Sequence, residues 1–132
     1  ELLKLGYHIS LNIDPMILTT DTVNTYKKII DDIKVHFDYS SSRFHRITIG
    51  MLRFGSNNLE NNIRKRHVDL YGHAQRNMRK VKGDEKYRYD RDKRVEIYKA
   101  LVEYIKVEIP GVDVEMSTEA VDVWKDVGLT WE

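Results

Sequence analysis

Asn12, Asp14 and Arg53 are polar residues at the points where two runs of alternating apolar residues end. In parallel α/β architectures ligands gather at the carboxyl ends of strands, so these three are candidate site residues. A carboxamide and a carboxylate beside a guanidinium can bind a charged cofactor and orient it by hydrogen bonds. Plainer readings exist: Asp14 before Pro15 can simply start a turn by bonding its own following backbone, and Arg53 can pair on the surface with Glu60. We place Arg53 in the site because it ends an apolar strand. Other chemistries are excluded. With zero cysteines the chain has no thiolate nucleophile, no disulfide, no cysteine-ligated zinc and no ligand for an iron–sulfur cluster. The histidines at 8, 36, 45, 67 and 73 lack metal-ligand spacing, and the glycines form neither a phosphate-binding loop nor a dinucleotide fingerprint.

Charge is the second chemical signal. Arg64 to Arg94 hold twelve of the 22 Lys and Arg but five of the 21 Asp and Glu, a local balance of +7 that the whole-chain value of +1 conceals. The remaining residues sum to −6. Within the stretch Arg79, Lys80, Lys82, Lys86 and Arg88 are interleaved with Tyr71, Tyr87 and Tyr89. Cations meet phosphates and aromatic rings stack on bases, so the pattern suits a nucleic-acid partner. The alternative is a solvated charged loop, with Tyr87 and Tyr89 as strand aromatics packed on the following helix.

These residues need elements to position them. Tyr7, Ile9, Leu11 and Ile13 alternate strictly with His8, Ser10, Asn12 and Asp14, which predicts a strand with one apolar and one polar face, ended by Pro15. Val23, Tyr26, Ile30, Ile33 and Phe37 follow helical spacing, with Asp21 or Thr20 as cap. A second strand runs through Ile47, Ile49 and Met51, and a short polar helix follows at roughly Leu59 to Arg66. Periodicity is weak from His67 to Glu85, which predicts a loop or hairpin before a brief strand at Lys86 to Tyr89. Val95, Tyr98, Leu101, Val102 and Ile105 predict a third helix stopped by Pro110 and Gly111. Val112, Val114 and Met116 then alternate, and Ser117 is placed to cap a last helix bearing Val121, Trp124 and Val127.

That order is α/β, most economically a parallel sheet covered by helices. A parallel strand in an open doubly wound sheet should be apolar on both faces, whereas the first strand here has a continuous polar row. In a barrel, that row of His8, Ser10, Asn12 and Asp14 lines a wet interior, so a barrel segment is favoured over a Rossmann sheet. A length of 132 residues, 41% apolar and 33% charged, permits one modest domain. No run approaches about 20 apolar residues and the N-terminus does not resemble a secretory signal, so the expectation is a cytoplasmic protein without membrane contact.

Taken in order, Gly6-Tyr7-His8 to Ile13-Asp14-Pro15-Met16-Ile17, Ile47-Thr48-Ile49-Gly50-Met51-Leu52-Arg53-Phe54, Lys86-Tyr87-Arg88-Tyr89, Pro110-Gly111 and Ser117-Thr118-Glu119 leading to Trp124 resemble the C-terminal half of the spore photoproduct lyases and related radical SAM proteins. The resemblance implies the last strands of a partial (β/α)6 barrel. On it, residues 1–66 are the last βα units, 67–90 a basic loop or hairpin facing nucleic acid, and 91–132 a closing helix–strand–helix. In that family an upstream half binds a [4Fe-4S] cluster through three cysteines and cleaves S-adenosylmethionine to a 5′-deoxyadenosyl radical. The radical abstracts hydrogen from a methylene-bridged thymine dimer in DNA, which reverts to two thymines.

By the resemblance, Asp14 and Pro15, with Asn12 beside them, match the approach to the adenosine of S-adenosylmethionine. Arg53 matches the strand-end arginine near the reaction centre. Lys86, Tyr87 and Tyr89 match the segment approaching the damaged base pair, and Arg79, Lys80, Lys82 and Arg88 extend the nucleic-acid-facing set. The implied partners are DNA and a cluster-binding half, in the same or another chain, without which these 132 residues should be inert. Two departures stand out: Arg79-Lys80-Val81-Lys82-Gly83 replaces the family's glycine-flanked Arg-Tyr tip, and Ser117 stands where relatives carry a cysteine. A relative with another substrate and a noncatalytic nucleic-acid-binding module are the alternative readings.

Overall fold

β1 (Ile9–Met16) follows the predicted alternation, with Ile9, Leu11 and Ile13 half-buried and Ser10 and Asn12 exposed, but it begins two residues late: Tyr7 and His8 precede the strand and are exposed, so neither joins its faces. A computed structural model of the chain describes residues 1–2, 5–36, 44–55 and 57–130, so the expected helical position Phe37 and the turn of Ser40, Ser41 and Ser42 lie outside the described residues. After β1 come α1 (Thr22–His36), β2 (Phe44–Met51), α2 (Asn57–Arg66), α3 (Val68–Asn77), β3 (Met78–Lys80), β4 (Tyr87–Tyr89), α4 (Arg91–Glu108), β5 (Asp113–Met116) and α5 (Val121–Val127). The chain is thus a mixed α/β structure, with a parallel three-stranded sheet in the order β1-β2-β5 and a separate β3-β4 hairpin.

Register sorts the sheet into rows. Leu11, Ile47 and Val114 lie side by side, as do Ile13, Ile49 and Met116, and together they join a core completed by Ile97, Tyr98, Leu101 and Ile105 of α4. The intervening rows are polar: Ser10, Arg46 and Asp113, then Asn12, Thr48 and Glu115. Ser10, Asn12 and Asp113 are exposed, and Arg46 pairs with Glu115 at 3.2 Å. One face of the sheet is therefore apolar and packed, the other polar and open. α1 and α4 lie together, joined by an ion pair of Lys34 with Glu108 and by the Tyr104 hydroxyl donating to Asp31 at 2.6 Å. Among the described residues no helix is long and apolar enough to cross a membrane.

Three expectations are corrected. β1 does not end at Pro15 but continues to Met16, because the pairing passes from Ile13 with Ile49 to Met16 with Met51. Asp14 and Pro15 thereby oppose the single residue Gly50, a bulge in which proline's missing N–H breaks no ladder bond. The weakly periodic stretch after His67 is not all loop, since α3 occupies it. Only Ala74 of that helix is buried, so its apolar stripe is thin. Ser117 does not cap α5, whose N-cap is Ala120, because its hydroxyl is turned to Arg53 instead. Of the loop and hairpin left open by the sequence, a hairpin forms, and the brief strand is its second arm: Arg79 opposes Arg88 and Lys80 opposes Tyr87, with Gly83 at φ 90° in the turn.

Candidate functional site

The carboxyl ends of β1, β2 and β5 converge on one guanidinium. Arg53, two residues past β2, donates from Nη1 to both carboxylate oxygens of Asp14, at 3.2 and 3.4 Å, and from Nη2 to Ser117 Oγ at 3.1 Å and Thr118 Oγ1 at 2.8 Å. Asp14 belongs to β1, and Ser117 and Thr118 follow β5, so one side chain ties together three strand ends. The clamp is not sealed: the Arg53 and Asp14 side chains keep 21% and 20% exposure, enough to meet a ligand above the sheet. Planar, many-donor guanidinium is suited to such a node, because it satisfies several acceptors at once from a fixed orientation.

Gly50 makes room for this clamp. A Cβ at that position would lie 2.7 Å from Asp14 Cγ and 2.9 Å from each carboxylate oxygen. Thr118 is held from below with φ at +55°, a backbone conformation that non-glycine residues seldom adopt. Its carbonyl accepts from Arg88 Nη2 at 3.1 Å. The next residue, Glu119, is buried, ion-paired with Arg94, 3.8 Å from Arg88, and accepts from the Tyr98 hydroxyl at 3.0 Å. Tyr98 in turn accepts from the Met51 N–H at 2.8 Å, at the end of β2. Burial, followed by the adjacent Glu119 charge, pushes the Tyr98 hydroxyl well above the ordinary tyrosine range. A buried, fully partnered polar network thus fixes the segment that carries Ser117 and Thr118.

Of the sequence-derived candidates, Asp14 and Arg53 come together in the clamp, and Arg53 does not use Glu60. Asn12 stands exposed one step down the open polar face, and Pro15 is exposed in the bulge. The hairpin attaches one residue beyond Arg53: the Phe54 N–H donates to the Tyr87 carbonyl at 3.3 Å, the Tyr87 N–H returns to Phe54 at 2.8 Å, and their rings stack at 5.1 Å. Arg79, Lys80 and Lys82 are exposed, with Lys80 paired to Glu85 at 2.8 Å. Lys86 is half-buried, and its stem crosses Gly55 so closely that a Cβ there would be 2.6 Å from its Cγ.

Arg88 and Tyr89 differ from expectation. Arg88 is 8% exposed and committed to Asp84 and Glu119, while Tyr89 is 2% exposed, its hydroxyl bonded to the Leu18 N–H at 3.2 Å and to His73 Nε2 at 2.8 Å. Both side chains face inward and serve the fold. Sequence reasoning gave no site role to Gly50, Thr118 and Glu119, and read Ser117 as a cap and, by the resemblance, as the residue in place of a cysteine. The strand-end rule that singled out Asp14 and Arg53 would have found Ser117 and Thr118 had it been applied to the third parallel strand.

No protein-family model matches the chain, and no curated protein matches it. A solved structure is similar: a cysteine-to-alanine mutant of spore photoproduct lyase with dinucleoside spore photoproduct, at a TM-score of 0.66 and 15% sequence identity, over 88% of this chain and 36% of that one. The chain therefore spans about a third of that neighbour's length, and at this identity the likeness is one of fold.

Proposed function

We propose that the chain is the C-terminal portion of a radical SAM lyase resembling spore photoproduct lyase, acting on a thymine-dimer lesion in DNA. Its three parallel strands are the last strands of a partial barrel. The observation that carries this reading is the Asp14–Arg53–Ser117–Thr118 clamp at the shared carboxyl end of β1, β2 and β5, with the basic hairpin hydrogen-bonded directly beside it. The fold likeness over 88% of the chain supports it. So does the open polar sheet face, where the buried Arg46 Nε has no hydrogen-bond partner among the described residues.

The donor set decides what this chain can hold. Without a thiolate it does not fit a [4Fe-4S] cluster, which belongs to the cysteine-bearing half of the enzyme. S-adenosylmethionine fits better: the exposed carboxamide of Asn12 and the part-exposed carboxylate of Asp14 offer acceptors for ribose hydroxyls or an ammonium group on the open face. Bound there, such a cofactor supplies hydrogen abstraction through its 5′-deoxyadenosyl radical. The chain's own work is positional. Asp14, Ser117 and Thr118 fix the part-exposed Arg53 guanidinium, which orients the reacting group. Arg79, Lys80 and Lys82 hold the phosphates of the strand, and Tyr87 backs an extruded base. Ser117 carries no thiol to return a hydrogen atom, which favours, as a second reading, a relative with another substrate.

The test is to join the chain to a cysteine-bearing, cluster-binding half and supply reductant, S-adenosylmethionine and dinucleoside spore photoproduct. We expect 5′-deoxyadenosine together with release of thymine pairs. 5′-Deoxyadenosine without repair would point to another substrate. Absence of 5′-deoxyadenosine from a correctly folded, cluster-loaded assembly that still binds DNA in a salt-sensitive way would mean a binding module.

A further inference from the structure

Behind the hairpin, away from the aromatic pair of Phe54 and Tyr87, lies a concave pocket of about 490 Å³ between α3, the β3–β4 strands and the start of α4. Its walls carry five guanidinium groups, of Arg76, Arg79, Arg88, Arg91 and Arg94, against one carboxylate, that of Asp90. Three of the five are neutralised. Arg88 and Arg94 share Glu119 and Arg88 also holds Asp84, while Arg91 bonds Asp122 at 2.7 Å and Asp126 at 2.6 Å. Asp90 is occupied as the cap of α4, accepting from the backbone N–H groups of Asp92 and Lys93. It makes no ion pair with the other two.

Arg76 and Arg79 are exposed and have no carboxylate within ion-pair distance among the described residues. Among the described residues Arg79 donates only to the neighbouring Met78 carbonyl, at 2.8 Å. It also sits directly opposite Arg88 in the hairpin register, and like charges across an antiparallel pair are destabilising. An excess of unneutralised guanidinium in a concavity, with its acidic neighbours already spent, is what an oxyanion would balance. The aromatic lining of a neighbouring pocket points to a nucleic acid in particular. Arg79 lines this pocket and also a second one of about 290 Å³ on the other side of the hairpin, walled by Phe54, Tyr71 and Tyr87. The first pocket offers guanidinium groups to a phosphate, and the second offers aromatic rings on which a base can stack.

We infer that the Arg76–Arg79 pocket is a binding site for a backbone phosphate of the nucleic-acid strand, engaged bidentately by the two free guanidiniums. The inference rests on the reading of the hairpin as the nucleic-acid-facing element, but not on cofactor chemistry. Arg88, Arg91 and Arg94, neutralised by their own carboxylates, form the walls, and the two exposed arginines supply the charge and make the contact.

The experiment measures binding of a fluorescent single-stranded oligonucleotide by the full chain across a salt series, with no cofactor. Arg76→Gln with Arg79→Gln should lower the steepness of log affinity against log salt by about 1, the release expected for one phosphate. A double change of equal charge on the outer face of α4, Lys99→Gln with Lys106→Gln, should leave the slope as it is. Arg79→Lys should recover part of the affinity but not the bidentate geometry. Equal slopes in the two double variants would overturn the site while leaving the nucleic-acid reading intact, whereas no binding by the unaltered chain would remove both. If inorganic phosphate raises the melting temperature through Arg76 and Arg79 while the oligonucleotide affinity is indifferent to them, the ligand is a free phosphate and the inference fails.

Discussion

The carboxylate of Asp14 lies over the backbone of Gly50, in the space that a Cβ there would fill at 2.7 Å from Cγ. A bulge in β1 and a missing side chain in β2 thus cooperate to aim one carboxylate at Arg53. Gly50→Ala should force Asp14 aside and destabilise the fold by about 1–3 kcal/mol, the usual cost of overpacking. The same substitution in an Asp14→Ala background should cost distinctly less, because the obstructing group is gone. Urea denaturation of the four proteins of this cycle measures the coupling, and additivity would show that the two residues are not in competition for space.

Glu119 is the counter-charge for a buried set. Its side chain is 2% exposed, and the Arg94 and Arg88 side chains are 8% and 9% exposed. Removing the charge with Glu119→Gln leaves Arg94 buried without a carboxylate, which should destabilise by about 3–5 kcal/mol. Equilibrium unfolding checks this, and a change below about 1 kcal/mol would mean that Arg94 finds water or another acceptor. Because the network also fixes the Thr118 carbonyl, the variant should loosen Arg53 as well.

His73 sets an acid limit. Burial, then the Arg76 charge, holds its ring below the ordinary imidazole range. Its neutral form suits its neighbours, since Nε2 faces the Tyr89 hydroxyl, which already accepts from Leu18. With the folded value lowered, the unfolded chain takes up the proton first as pH falls below about 6.5, so stability is whole above that pH and declines beneath it. Asp84 and Asp122 are also lowered, by hydrogen bonds from Arg88 and Arg91, but their contributions are lost only as pH falls below about 4. Melting temperatures from pH 7 to 5.5 should therefore fall more in the unaltered chain than in His73→Gln. Parallel profiles would exclude His73 as the cause.

Much of this was legible in the residues. Alternation from Ile9 to Ile13 shows both a strand and its polar face, an open row shared with Thr48 and Glu115, although the same alternation at Tyr7 and His8 lies outside the strand. What escaped has physical reasons. α3 hides because only Ala74 is buried and Gly72 interrupts its middle. Pro15 looks like a terminator until a bulge is allowed for, since a bulge depends on the partner strand. Arg88 looks like a ligand-facing cation because nothing local reveals Glu119, thirty-one positions on, folding back to meet it. Ser117 and Thr118 end the third predicted strand and so were within reach of the strand-end rule, but their convergence on Arg53 depends on β5 lying beside β2, a long-range pairing that no window of sequence contains.

The central claim is that Arg53, clamped by Asp14, Ser117 and Thr118, is this chain's contribution to a shared reaction centre. The direct measurement is the ratio of lesion reverted to 5′-deoxyadenosine formed by the joined, cluster-loaded enzyme, with and without Arg53→Ala. The account predicts a folded variant whose ratio drops by roughly 10- to 100-fold, the scale of a misplaced reacting group. A variant that folds, cleaves the cofactor and repairs DNA with the ratio of the unaltered enzyme would contradict it.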